Sequence, residues 1–173
     1  MQQPIGSMMN GVLKVMVLRG SPERVYYSRP RFIVALVLAL ILSASVQWLV
    51  YHDHLVFVIL RVFAELTMFM LAAVLLTAKV ARFRLACTLF LLVLINVVAD
   101  SLLLLVAPFD LGESVHTVGW LLALAAFYGA SNTVAWALRK PITTGMLVML
   151  VYAAAVFGLD LAFRTLYNMV ALA

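Results

Sequence analysis

Five apolar stretches of about 20 residues, separated by short polar connections, constrain the fold more than any other feature of this sequence. A helix needs about 20 apolar residues to cross a hydrocarbon core about 30 Å thick, and it satisfies its own backbone hydrogen bonds there. Only 11% of the residues are charged, whereas soluble domains have about 25%. The pattern predicts an all-α, polytopic transmembrane helix bundle with five spans, at about residues 32–51, 55–78, 85–107, 115–138 and 143–166.

An N-terminal segment, residues 1–31, precedes this five-helix transmembrane domain of residues 32–173. Within the segment, the stretch IGSMMNGVLKVMVL, residues 5–18, has apolar residues at helical spacing and polar residues on the other side. We expect an interfacial amphipathic helix that lies in the headgroup region. Packing of the same helix on the other helices of the chain is the alternative.

Lysine and arginine are distributed unevenly over the connections. They occur in the N-terminal segment, in the second-to-third connection and in the fourth-to-fifth connection, whereas YHDH and PFDLGE have none. Because positive charge stays on the cytoplasmic side, we expect the N-terminus inside and the C-terminus outside. The net charge of +5 is thereby explained. Lipid headgroups, and not nucleic acid, are the expected partners of these residues. The short loops suggest a bacterial protein, so the expected location is the inner membrane.

Five ionisable residues fall within the predicted spans. Arg61 and Glu65 are spaced i, i+4, as are Asp160 and Arg164, so each pair lies on one helix face. The predicted orientation places all five in the outer half of the membrane. An unpaired charge near the bilayer centre costs about 2.5–3.5 kcal/mol, so we expect one arginine to meet Asp100. The predicted intramembrane polar cluster consists of Arg61, Glu65, Asn96, Asp100, Asp160 and Arg164.

Three interpretations of this cluster stay open, and one of them is contact with a transmembrane helix of a partner protein. Ion pairs and polar side chains join helices in lipid, so the cluster can be a purely structural clip. Intramembrane carboxylates also mark proton or ion pathways. Three carboxylates face two guanidiniums, so one carboxylate, Asp100 or Glu65, is expected to hold a proton. Five spans cannot be divided into two equal inverted repeats, which argues against a transporter unless a dimer supplies the missing part.

Small residues recur along the fourth span and permit close approach of another helix. The predicted contact face comprises Gly119, Ala123, Ala126, Gly129, Ala130 and Asn132, used either within the monomer or in an oligomer.

No catalytic signature is present, since the chain has no HExxH, GxSxG or Gly-rich phosphate loop. We expect no enzyme and no cofactor. The three histidines, His52, His54 and His116, lie beside carboxylates in the predicted outer connections, but their spacing matches no metal motif. Cys87 is single, which excludes an intrachain disulfide.

Three stretches resemble the Yip (Ypt-interacting protein) family, particularly its bacterial members. LRGSPERVYYSRPRF has a Ser-Pro helix start and a second proline before the first span. LTAKVARFRLACTLFLLVLINVVADSLLLLVAPF has a basic connection before a span that ends at a proline, and WLLALAAFYGASNTVAWALRKP is an aromatic-rich span with a basic end. The resemblance implies a non-enzymatic, membrane-organising role with no catalytic residues.

The sequence therefore predicts a non-catalytic subunit, adaptor or organiser of a membrane protein assembly. Its partners would be the bilayer and other membrane proteins or further copies of itself. The alternative is a small proton- or ion-linked transporter or channel that uses the intramembrane carboxylates.

Overall fold

The computed structural model describes residues 5–16, 22, 27–49, 55–106 and 113–171, without the side chains of 5–9, 113–116 and 170–171. All regular structure in these ranges is helical. The helices are α1 (Ile5–Met16), α2 (Arg29–Leu49), α3 (Leu55–Thr77), α4 (Arg82–Val106), α5 (Glu113–Leu138) and α6 (Ile142–Ala171).

Helices α2 to α6 are long and apolar enough to cross a membrane, which confirms the five predicted apolar spans. Their bounds differ from the prediction mainly at the ends. Helix α2 already begins at Arg29, and α6 has 30 residues and continues to Ala171. At 1.5 Å per residue α6 is about 45 Å long, so it exceeds a hydrocarbon core and must tilt or project.

The five long helices form a closed ring in the order α2, α4, α5, α6, α3, and back to α2. The most extensive contacts join α5 to α6, α2 to α4 and α4 to α5, whereas α3 makes smaller contacts with α6, α2 and α4. Helix α4 is the best packed of the long helices, with half of its most apolar window buried, whereas Gly145 is the one buried residue among the described residues of α6. Helices α3 and α6 therefore have the smallest buried shares of the five, and the weakest contact around the ring joins α3 to α2.

The core lies where α4 meets α2, α1 and α5. Phe90, Leu91 and Ile95 of α4 are almost completely buried. Tyr27 and Phe32 pack against Phe90 at ring-centroid distances of 5.9 and 6.4 Å. These contacts fix the entry of α2 beside α4.

Helix α1 packs against α4 and α5. Val12, Val15 and Met16 are buried. A Cβ on Gly129 would lie 2.8 Å from the Met16 Cα atom, so the glycine allows α1 to approach the α5 backbone closely. The C-terminal half of α1 thus packs on the helices of its own chain, which was the alternative to a purely interfacial position.

A tight turn joins α5 and α6. Arg139 has a left-handed backbone with φ 54°, and the Lys140 amide donates to the Ala135 carbonyl at 3.0 Å. This bond is typical of a helix C-terminus that closes with a left-handed residue. Pro141 follows and precedes the first turn of α6, where proline is favoured. The two helices therefore leave the turn as closely packed antiparallel neighbours.

Candidate functional site

A cavity of about 870 Å³ occupies the centre of the helix ring. All five long helices line it. Its lining residues lie in the later halves of α2 and α4 and in the middle of α3, α5 and α6, so the cavity lies at mid-depth, displaced towards the end of the bundle opposite the basic connections. We call these the cavity end and the basic end.

A charged network on α3 and α6 lines one wall of this cavity. The Arg61 Nε atom lies 3.3 Å from a Glu65 carboxylate oxygen, and the Arg164 Nε atom lies 3.1 Å from an Asp160 oxygen. Both pairs therefore form as their i, i+4 spacing predicts. Arg61 also approaches Asp160 at 4.0 Å, which connects the two helices. Side-chain exposures of 32% for Arg61 and 31% for Glu65 show that the network borders open volume.

Three further contacts hold α3 in the ring. The Ser43 hydroxyl of α2 donates a 2.9 Å hydrogen bond to Glu65. On the other side, the Phe57 ring lies 4.7 Å from the Tyr167 ring, and the Arg164 guanidinium lies 5.0 Å from the centre of Phe57. Because few apolar side chains of α3 are buried, these polar and aromatic contacts account for much of its attachment.

Asp100 of α4 lines the same cavity. It interacts electrostatically with Glu65, which repels it, and with Arg61, which attracts it. The direct ion pairs of the two arginines within the described residues run to Glu65 and Asp160 instead. Asp100 thus belongs to the cluster through longer-range interaction. The sequence predicted an ion pair between Asp100 and one of the arginines. No such ion pair occurs among the described residues.

Asn96 and Gln47 complete the polar lining. Asn96 lies one turn before Asp100 on α4, and Gln47 comes from the end of α2. The six members of the predicted polar cluster therefore all line one cavity.

A second cavity of about 380 Å³ lies towards the basic end. Its lining is largely apolar, with Lys79 among the lining residues. The two cavities share one layer of lining residues, which belongs to α3, α4, α5 and α6. This layer consists of Phe69, Asn96, Ala130, Met149 and Tyr152. The two cavities therefore follow one another along the axis of the helix ring.

The residues of the predicted small-residue face of α5 have two different roles. Gly129 contacts α1 through Met16. Four other residues of the face, Gly119, Ala123, Ala126 and Ala130, line the large cavity. Asn132 is half-buried. The small side chains of α5 therefore keep cavity volume open and admit α1, both within the monomer.

The predicted histidine candidates are not placed by the structure. His52 and His54 lie outside the described residues, and the His116 side chain does too. Within the part of the chain that the structure describes, no group of three or more His, Cys, Asp or Glu side chains could hold a metal ion.

Two cavity residues were missed from the sequence, Ser43 and Tyr152. Ser43 stands in a small-residue stretch, SAS, where a serine is usually read as a packing residue. Tyr152 looks like one more aromatic residue in an apolar span. A hydroxyl within a span is a weak signal, and only the neighbouring helices show which way it points.

The five apolar helices fit the class of polytopic α-helical membrane proteins. No protein-family model, curated protein or solved structure matches the chain.

Proposed function

We propose that this protein is a small membrane transporter or channel whose solute site is the large polar cavity. The observation that carries the proposal is the position of the charges. The ionisable side chains of the spans line a central cavity of about 870 Å³. Small-molecule sites typically have volumes of ~300–1,000 Å³.

The arrangement of the charges supports solute binding over a purely structural role in joining the helices. A clip needs only side chains in mutual contact, as in lipid-buried helix pairs. Here about a third of the Arg61 and Arg164 side chains remains exposed although both form ion pairs. Charged groups at membrane depth that border open volume are typical of water-filled cavities and substrate pathways.

The second cavity supports a pathway along the ring. It continues the large cavity towards the basic end, and one layer of side chains lies between the two. We propose that the large cavity faces the outside, that the basic end is cytoplasmic, and that movement of this layer connects the two sides. In a proton-linked cycle, Asp100 and Glu65 would carry the protons.

Reconstitution tests this proposal. Proteoliposomes with the wild-type chain should pass protons, inorganic cations or small organic solutes under an imposed potential or pH gradient. The Asp100→Asn variant should lose that flux while it elutes from size exclusion like the wild type. The control is Thr165→Val, because Thr165 is exposed and, among the described residues, its hydroxyl donates to the Leu161 carbonyl of its own helix. Absence of flux for every solute of the panel would refute the proposal.

Assembly with another membrane protein is the second candidate. It is favoured by the small buried shares of α3 and α6, because a further helix could cover the exposed apolar side chains of these two helices. The membrane-organising role implied by the Yip resemblance agrees with this candidate. Native mass measurement after mild detergent extraction distinguishes the two, because a stoichiometric partner supports assembly and a lone monomer or homodimer supports transport.

A further inference from the structure

We infer that the large cavity selects hydrophobic organic cations, with Asp100 as the counter-charge and aromatic side chains as the surrounding surface. This inference rests on the proposed function and names the substrate class of the same cavity. Three independent observations carry it: the balance of charges, the aromatic lining and the adjoining apolar volume.

The charges favour a positive ligand. Arg61 pairs with Glu65 and approaches Asp160, and Arg164 pairs with Asp160. Both guanidiniums are thus already engaged by carboxylates. With all groups ionised, three carboxylates and two guanidiniums line the cavity, which leaves one negative charge in excess. Among the described residues Asp100 has no hydrogen bond or direct ion pair, so it is the carboxylate available to a ligand.

The aromatic lining favours a soft, organic cation over a metal ion. Four aromatic residues line the cavity: Phe69, Phe127, Tyr152 and Phe157. An aromatic face attracts a cation that lies within about 6 Å of its centre, and sites for quaternary ammonium groups use this attraction. A small inorganic cation needs several oxygen ligands instead, and no such group of carboxylates occurs among the described residues.

The adjoining cavity explains why the cation should be hydrophobic. Phe69 and Tyr152 line both cavities. The second cavity is lined mainly by leucine, alanine, valine and methionine. A ligand whose charge lies at Asp100 can therefore place apolar groups against this mainly apolar surface, and burial of that apolar area adds to affinity.

Two probes of the same shape and opposite charge test the inference. Tritiated tetraphenylphosphonium, a cation, and tetraphenylborate, an anion, are each measured by equilibrium dialysis against the purified full chain in detergent. The cation should bind about tenfold more tightly than the anion or better. Asp100→Asn should remove this preference, and Asp100→Glu, which keeps the charge, should retain it.

Two phenylalanines of similar exposure provide a matched control. Phe157 is 68% exposed and Phe63 is 64% exposed, but only Phe157 lines the cavity. Phe157→Leu should weaken binding of the cation several-fold, whereas Phe63→Leu should leave it unchanged.

Equal binding of the two probes, or cation binding that Asp100→Asn does not alter, would overturn the inference. Failure of both probes to bind would overturn it as well. None of these outcomes would refute transport itself, because flux of another solute that depends on Asp100 would still support the proposed function.

Discussion

The Arg61 guanidinium of α3 lies 4.0 Å from the Asp160 carboxylate of α6, although the two residues are far apart in the sequence. This contact joins two i, i+4 ion pairs into one network between α3 and α6. Helix α3 has few buried apolar side chains, so the network should contribute to its position.

Removal of the Arg61–Asp160 contact should weaken the attachment of α3 to α6. We expect Arg61→Leu to lower the amount of protein in membranes. A double-mutant cycle with Asp160→Leu should give a coupling energy of about 0.5–1 kcal/mol, because polar contacts between membrane helices average about 0.6 kcal/mol. Thermal unfolding in detergent measures the four stabilities. Additive effects of the two substitutions, together with wild-type abundance of Arg61→Leu, would contradict a structural role of the network.

Ser43→Ala should destabilise the protein more than Ser45→Ala. Ser43 donates to Glu65 on another helix at 2.9 Å, whereas Ser45 donates to the Ile41 carbonyl of its own helix at 2.8 Å. We expect a loss of about 1 kcal/mol for Ser43→Ala, since its partner is charged. Chemical unfolding of the two variants side by side provides the comparison, and equal stabilities would show that the contact between α2 and α3 is unimportant.

Gly145→Ala should loosen the α5–α6 hairpin, and Gly158→Ala should not. A Cβ at Gly145 would collide with the Ser131 carbonyl oxygen and lie 3.0 Å from the Ala135 Cβ atom, whereas a Cβ at Gly158 meets nothing within 4 Å. Overpacking of this kind typically costs about 1–3 kcal/mol. The same change at an open helix position is favourable by up to about 1 kcal/mol. Unfolding temperatures in one detergent should therefore move in opposite directions, and a similar loss for both would refute close packing at Gly145.

Cysteine labelling should establish the orientation. In a Cys87→Ser background, Ala78→Cys places a thiol in the turn between α3 and α4, and Asn168→Cys places one near the end of α6; both positions are exposed. The distribution of basic residues predicts that a membrane-impermeant maleimide labels Asn168→Cys in intact cells. Ala78→Cys should react only after the membrane is opened. The reverse pattern would invert the proposed topology.

Much of the fold follows from local properties of the sequence. The length and apolarity of each stretch predicted α2 to α6, since a bilayer core sets the length of a span. Helical periodicity predicted that Arg61 and Glu65 share one face. These features depend on neighbours within about one turn, which is why a sequence alone can indicate them.

The arrangement of the helices in a ring could not be predicted in the same way. The Ser43–Glu65 hydrogen bond and the approach of Arg61 to Asp160 each depend on which helices are neighbours. That order results from packing over the whole chain. The small residues of α5 show the same limit, because their spacing indicated close approach but did not distinguish another copy of the chain from α1 and the cavity.

The central claim is that the helix ring encloses a water-filled cavity. Two adjacent α5 residues test it most directly, because Ala123 lines the cavity and Leu124, which is 51% exposed, does not. A water-soluble methanethiosulfonate reagent reacts with the thiolate, which forms in water and is suppressed in an apolar environment. With Cys87 replaced by serine, Ala123→Cys in membranes should be labelled much faster than Leu124→Cys. Equal protection of both cysteines would contradict the claim and show that the cavity is closed to water.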